Sequence, residues 1–92
     1  MVAARNDEEE VDATLRAVLV DVLGLARERV LAFDESTPLF GALPEFDSMA
    51  VATLLTGLEE RLGVLIEDDD VDAEDFATFG TLLAFVRRKA LV

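Results

Sequence analysis

The sequence predicts an all-α fold: a small four-helix bundle of three longer helices and one short one, with a long ordered connection between the first two long helices. Three observations predict it. Apolar residues recur at helical spacing in three separate windows. Each window is bounded by capping residues or by glycine. The only strand-like run, Val64-Leu65-Ile66, has no second run to pair with. The 92 residues suffice for one small domain, and a hydrophobic content of 52% provides its core. Residues 1–7 read as a frayed lead-in and residues 8–90 as the single domain.

The first long helix is expected over about residues 8–23. Glu8, Glu9, Glu10 and Asp12 suit the positive end of its dipole, Val11, Leu15, Val18, Leu19 and Val22 fall at helical spacing, and Gly24 stops it. From Leu25 to Phe46 the pattern breaks. Arg27 to Leu31 suggests a short turn, and Asp34-Glu35-Ser36-Thr37-Pro38 and Gly41-Ala42-Leu43-Pro44 are breaker signals. So long a connection is functional or disordered in most small domains. Val30, Leu31, Phe33, Leu39, Phe40, Leu43 and Phe46 argue for order, as a strap packed along the helices.

The second long helix is expected from Ser48 to Leu62, with Val51, Leu54, Leu55, Leu58 and Leu62 in one stripe and Gly63 at its end. Gly57 inside it costs roughly 1 kcal/mol against alanine, which a close helix approach would explain. Val64-Leu65-Ile66 then reads as a loop plugging the core. The short helix begins at Asp72 or Ala73, with Phe76 turned inward. Thr78 caps the last helix, about 79–90, which buries Phe79, Leu82, Leu83, Phe85 and Val86 and ends in Arg87, Arg88 and Lys89, cations that complement the dipole.

Composition removes many chemistries. The chain lacks Cys, His, Trp and Tyr, and with them disulfides, thiolate metal sites, the commonest general base and most base-stacking residues. No apolar run approaches the ~20 residues of a membrane span, and the acidic N-terminus is unlike a signal peptide, so a soluble cytoplasmic protein is expected. The formal charge is −12, and it is segregated: from Asp34 to Asp75 there are thirteen acids against one base, Arg61, whereas elsewhere acids and bases balance. Such a surface repels nucleic acid and anionic lipid and attracts basic protein patches. Asp68, Asp70 and Asp72 alternate as in a calcium loop, but Ala73 and Phe79 stand where that loop needs glycine and glutamate. A solvated acidic face accounts for them.

Asp47-Ser48 opens the most regular amphipathic run. Either residue is a favoured N-cap, and an Asp-Ser pair ahead of a helix is in most proteins only a cap. Neither alignment completes a capping box, because Ala50 and Val51 occupy the third positions. Ser48 has no histidine to activate it, and the one lysine, Lys89, is far along the chain, so no catalytic residue is expected. Ser48 is better suited to be acted upon than to act.

Phe46-Asp47-Ser48-Met49 entering an apolar helix, followed by Leu58-Glu59-Glu60-Arg61-Leu62-Gly63-Val64, resembles an acyl carrier protein or peptidyl-carrier-like domain. Thr37-Pro38-Leu39-Phe40 and Thr78-Phe79-Gly80-Thr81-Leu82 extend the likeness over about residues 8–90. The stretch from Gly41 to Ala50 is similar to carriers associated with bacterial exosortase and exopolysaccharide clusters. The resemblance implies that Ser48 bears 4'-phosphopantetheine from coenzyme A, with Asp47 and Met49 beside it in the cofactor site. A phosphopantetheinyl transferase would attach the arm, whose thiol would carry acyl or aminoacyl groups as thioesters between enzymes with basic docking patches. Glu59, Glu60, Asp68, Asp69 and Asp70 are the expected docking residues, and a monomer is the expected state. In fatty-acid carriers acids follow the serine on the exposed helix face, whereas Ala50 and Thr53 stand at those positions in this chain, so its partners should differ. The alternative is an unmodified acidic helical adaptor in which Asp47-Ser48 is only a cap.

Overall fold

The computed structural model describes residues 4–91, with side chains from Glu8 onward apart from that of Asp68. Four α-helices occupy it: α1 (Ala4–Leu23), α2 (Arg27–Leu31), α3 (Ser48–Leu62) and α4 (Phe79–Ala90), with single 3₁₀ turns at Asp68–Asp70 and Ala73–Phe76. Among the described residues there is no strand, only an isolated bridge between Pro38 and Thr78. α1 packs against both α3 and α4. The radius of gyration is 12.4 Å, against ~12 Å for a compact domain of this length.

The apolar stripes drive this packing. α1 buries Val11, Leu15, Val18 and Leu19, α3 buries Leu54 and Leu58, and α4 buries Phe79, Leu82, Leu83, Phe85 and Val86, all in one cluster. Gly57 sits where α1 and α3 cross. A Cβ there would lie 3.2 Å from methyl carbons of both Val18 and Val22, so the close approach accounts for the glycine. Gly63 closes α3 in the left-handed region at φ 66°, its N–H donating to the Glu59 carbonyl.

Four expectations need correction. α1 starts at Ala4, so residues 4–7 are helical rather than a frayed lead-in; they contain no glycine or proline to stop the turn. Residues 1–3 lie outside the described residues. The Arg27–Leu31 segment is a true α-helix rather than a turn, its Val30 buried and so anchored to the core. The short helix expected near Asp72 is a single 3₁₀ turn, Ala73–Phe76, because Thr78 two residues on is already extended as the cap of α4 and leaves no room to propagate. Finally, Val64–Ile66 only partly plugs the core. An extended chain alternates sides, and Leu65 points outward at 69% exposure while Ile66 packs inward.

The strap is ordered by tertiary bonds. Val30, Phe33, Leu39 and Phe46 are buried, whereas Leu31 and Phe40 face outward. Its backbone runs beside the start of α4. The amide N–H groups of Gly80 and Phe79 donate to the carbonyls of Glu35 and Thr37, and those of Leu39 and Phe40 donate to Ala77 and Phe76, all at 2.8–3.0 Å. Arg16 of α1 ties down the other end. Its guanidinium donates to the carbonyls of Val30 at 2.7 Å and Phe33 at 3.3 Å, pairs with Asp12, and lies 4.4 Å from the Phe79 ring centroid. These bonds satisfy polar backbone groups of a segment whose only regular helix is the short α2.

Candidate functional site around the start of the central helix

The strap delivers Asp47 in an extended conformation at the N-terminus of α3. Its carboxylate accepts the Ala50 N–H at 2.8 Å, so Asp47 is the cap and Ser48 is the first helical residue. This division resolves the doubled cap signal. Ser48 is exposed, and its hydroxyl has no side-chain hydrogen bond among the described residues. The amides of Ser48 and Met49 precede any helical carbonyl that could receive them, and the positive end of a 15-residue helix lies at the same place. An anionic group attached at the Ser48 oxygen would meet those donors. Met49 projects into solvent at 79% exposure.

Beside Ser48 is an apolar cleft of about 250 Å³, lined by Phe40, Ser48, Val51, Val71, Asp72, Ala73 and Phe76. Three elements build it. The strap supplies Phe40, α3 supplies Ser48 and Val51, and the acidic segment and the turn after it supply Val71, Asp72, Ala73 and Phe76. Phe46 backs the two lining rings, meeting Phe40 edge to face at 6.4 Å between centroids and Phe76 at a tilt at 6.1 Å. The sequence pattern marks Phe40, Val51 and Phe76 as apolar residues to bury, not as neighbours of Ser48, and it gives no such signal for Val71, Asp72 and Ala73, which sit in an acidic run that reads as solvent-facing.

The expected docking acids fare unequally. Glu60 and Asp69 are exposed. Glu59 is half-buried, and its carboxylate accepts the Ile66 N–H at 2.7 Å, so it holds the loop after α3. Asp70 is taken up by the Glu67 N–H and by Lys89, each at 2.9 Å, and these bonds hold its carboxyl below the ordinary value. The side chain of Asp68 lies outside the described residues. Along the exposed face of α3, Thr53 and Thr56 donate their hydroxyls to the carbonyls of Met49 and Ala52, so they add no free polar group.

A larger groove of about 520 Å³ runs between α1 and α2, and it shares no lining residue with the Ser48 cleft. Acids such as Glu9 and bases such as Arg27 line it together, and they converge on no single chemistry. Among the described residues no group of three or more acids is placed to hold a metal ion, and no helix is long and apolar enough to cross a membrane.

The model of one protein family, described as the phosphopantetheine attachment site, matches residues 13–87. Among solved structures, the chain is similar to a holo acyl carrier protein from Nitrosomonas europaea determined in solution. The two share 41% identity at a TM-score of 0.73, over 85% of this chain and 92% of that one. No curated protein matches.

Proposed function

The chain belongs to the phosphopantetheine-attachment family of carrier proteins, and from that premise we propose that Ser48 is the residue that bears the arm. The family's cofactor, covalently attached 4'-phosphopantetheine, is the cofactor of this chain. The observation that carries the assignment is the division between Asp47 and Ser48: the acid caps α3 alone, leaving an exposed hydroxyl on the first turn beside an apolar cleft. A residue serving only as a cap would have its side-chain oxygen on a backbone amide, as Asp47 does.

In this reading the protein shuttles acyl or aminoacyl groups between enzymes and catalyses nothing itself. The bound arm supplies a terminal thiol that holds the cargo as a thioester. The chain's own residues do the rest. Asp47 fixes the first turn and with it the direction in which the Ser48 oxygen leaves the helix. The free amides of Ser48 and Met49 favour the phosphodiester charge. Met49, flexible and exposed, gives an adaptable apolar contact to whichever enzyme reaches Ser48. Glu60 and Asp69 face basic patches on those enzymes, which include a phosphopantetheinyl transferase, while Glu59 and Asp70 act by holding the neighbouring loop in shape.

The test is the intact mass after incubation with coenzyme A, magnesium and a broad-specificity phosphopantetheinyl transferase. One added phosphopantetheine is expected on the native chain and none on Ser48→Ala. An unmodified native chain that is folded would sink the assignment and favour the acidic adaptor, as would equal labelling of the variant.

A further inference from the structure

The cleft beside Ser48 has two kinds of wall. Phe40 is held by its own N–H on the Phe76 carbonyl and by that of Leu39 on Ala77, just ahead of α4, and Ser48 and Val51 belong to a 15-residue helix. The remaining wall, Val71 to Ala73, is attached differently. Between Glu67 and Ala73 the described backbone makes only local hydrogen bonds, within the Asp68–Asp70 turn and into the next one. Anchors flank the segment on both sides. Ile66 is bonded to Glu59 before it, and Phe76 is buried after it. Seven acids in nine residues, from Glu67 to Asp75, repel one another and favour its leaving the surface.

Two cations at the end of α4 oppose that repulsion. Lys89, the only lysine of the chain, reaches Asp70 at 2.9 Å, with both side chains less than a third exposed. Arg88 reaches Asp75 at 3.5 Å from a more exposed position. Each aspartate does two things at once. Asp70 also accepts the Glu67 N–H and Asp75 the Asp72 N–H, so the same carboxylates shape the 3₁₀ turns and tie them to α4.

We propose that residues 67–73 form a lid on the Ser48 cleft, latched to the end of α4 by Lys89 and Asp70, with Arg88 and Asp75 as a weaker second catch. Release of the latch lets Val71 to Ala73 swing away while the Phe40 wall and α3 stay fixed. The cleft then opens and closes by an electrostatic contact rather than by helix rearrangement. What the cleft admits rests on the carrier reading; the lid itself does not.

The experiment uses the full chain before any attachment and compares native protein, K89Q and K89R by NMR in low salt. Exchange of the Glu67 and Asp70 amides is expected to rise about two- to fivefold in K89Q, the range an ion pair of modest worth supports. Val71 should lose order at the same time, while the amides of α3 and α4 stay unchanged. K89R should behave as native, and native protein at about 0.5 M salt should approach K89Q, because screening weakens an accessible pair. Unchanged exchange in K89Q would overturn the latch. So would an equal rise in the α3 and α4 amides, since the segment would then open only with the whole fold. Failure of Ser48 to accept the arm is read separately, from intact mass.

Discussion

Asp47 and Ser48 stand side by side and answer to different forces. The Asp47 carboxylate satisfies an amide that the helix cannot, a contribution of about 1 kcal/mol at such a position. Asp47→Ala should therefore lower the melting temperature by about 4–8 °C, with Asp47→Asn close to native. Ser48→Ala removes a hydroxyl with no side-chain hydrogen bond among the described residues, so its melting curve should overlay the native one. Asp34 is a second residue whose chemistry is local. The hydroxyl of Ser36, then its amide, then the hydroxyl of Thr37 hold the Asp34 carboxyl below its ordinary value of 3.8. A carboxyl depressed in the folded state stabilises at pH above that ordinary value and loses the contribution as pH falls toward the folded value. Melting curves of native protein and Asp34→Asn should accordingly differ most near neutrality and converge in acid. A gap that widens below the ordinary value would contradict this.

At the scale of elements, the strap and α4 meet so closely that side-chain size decides the contact. A Cβ on Gly80 would lie 2.6 Å from the Glu35 carbonyl oxygen, and that oxygen is backbone that cannot rotate aside. Alanine is the better helix former, but overpacking of this kind costs about 1–3 kcal/mol. Gly80→Ala should thus lower the urea midpoint despite its gain in helix propensity. An unchanged or raised midpoint would mean that the strap yields. Arg16 shows why the strap's order was only partly legible. Its apolar residues signalled burial, but nothing in the spacing pointed to an arginine on α1 as the donor for two strap carbonyls.

At the scale of the molecule, one cluster of buried residues joins all four helices, the strap and Phe76. Leu58 is fully buried in it, and Leu58→Ala should cost about 2–5 kcal/mol. A domain with one core loses it everywhere at once. Circular dichroism and NMR should then report a single coincident transition over residues 8–90, moved together by the substitution. Charge is distributed on a different plan from the core. Seven acids crowd the Glu67–Asp75 segment, which supplies one wall of the cleft, and three cations close α4, two of them paired to that segment.

The amino-acid sequence was enough to specify the three long helices, their stops at Gly24 and Gly63 and the Thr78 cap. Each of these depends on neighbours within a few residues, where periodicity, capping and backbone preference act. It also carried the family likeness, because the motif is contiguous. Three-dimensional packing was needed to settle which of Asp47 and Ser48 caps α3, that Glu59 and Asp70 are occupied internally, and that Phe40, Val71 and Phe76 meet beside Ser48. Those outcomes depend on groups distant in sequence, such as Lys89 against Asp70 and the strap against α4, brought together when separate apolar stripes share one core. A one-dimensional pattern records that a side chain will be buried or charged; which partner it meets is set by the packing of the whole.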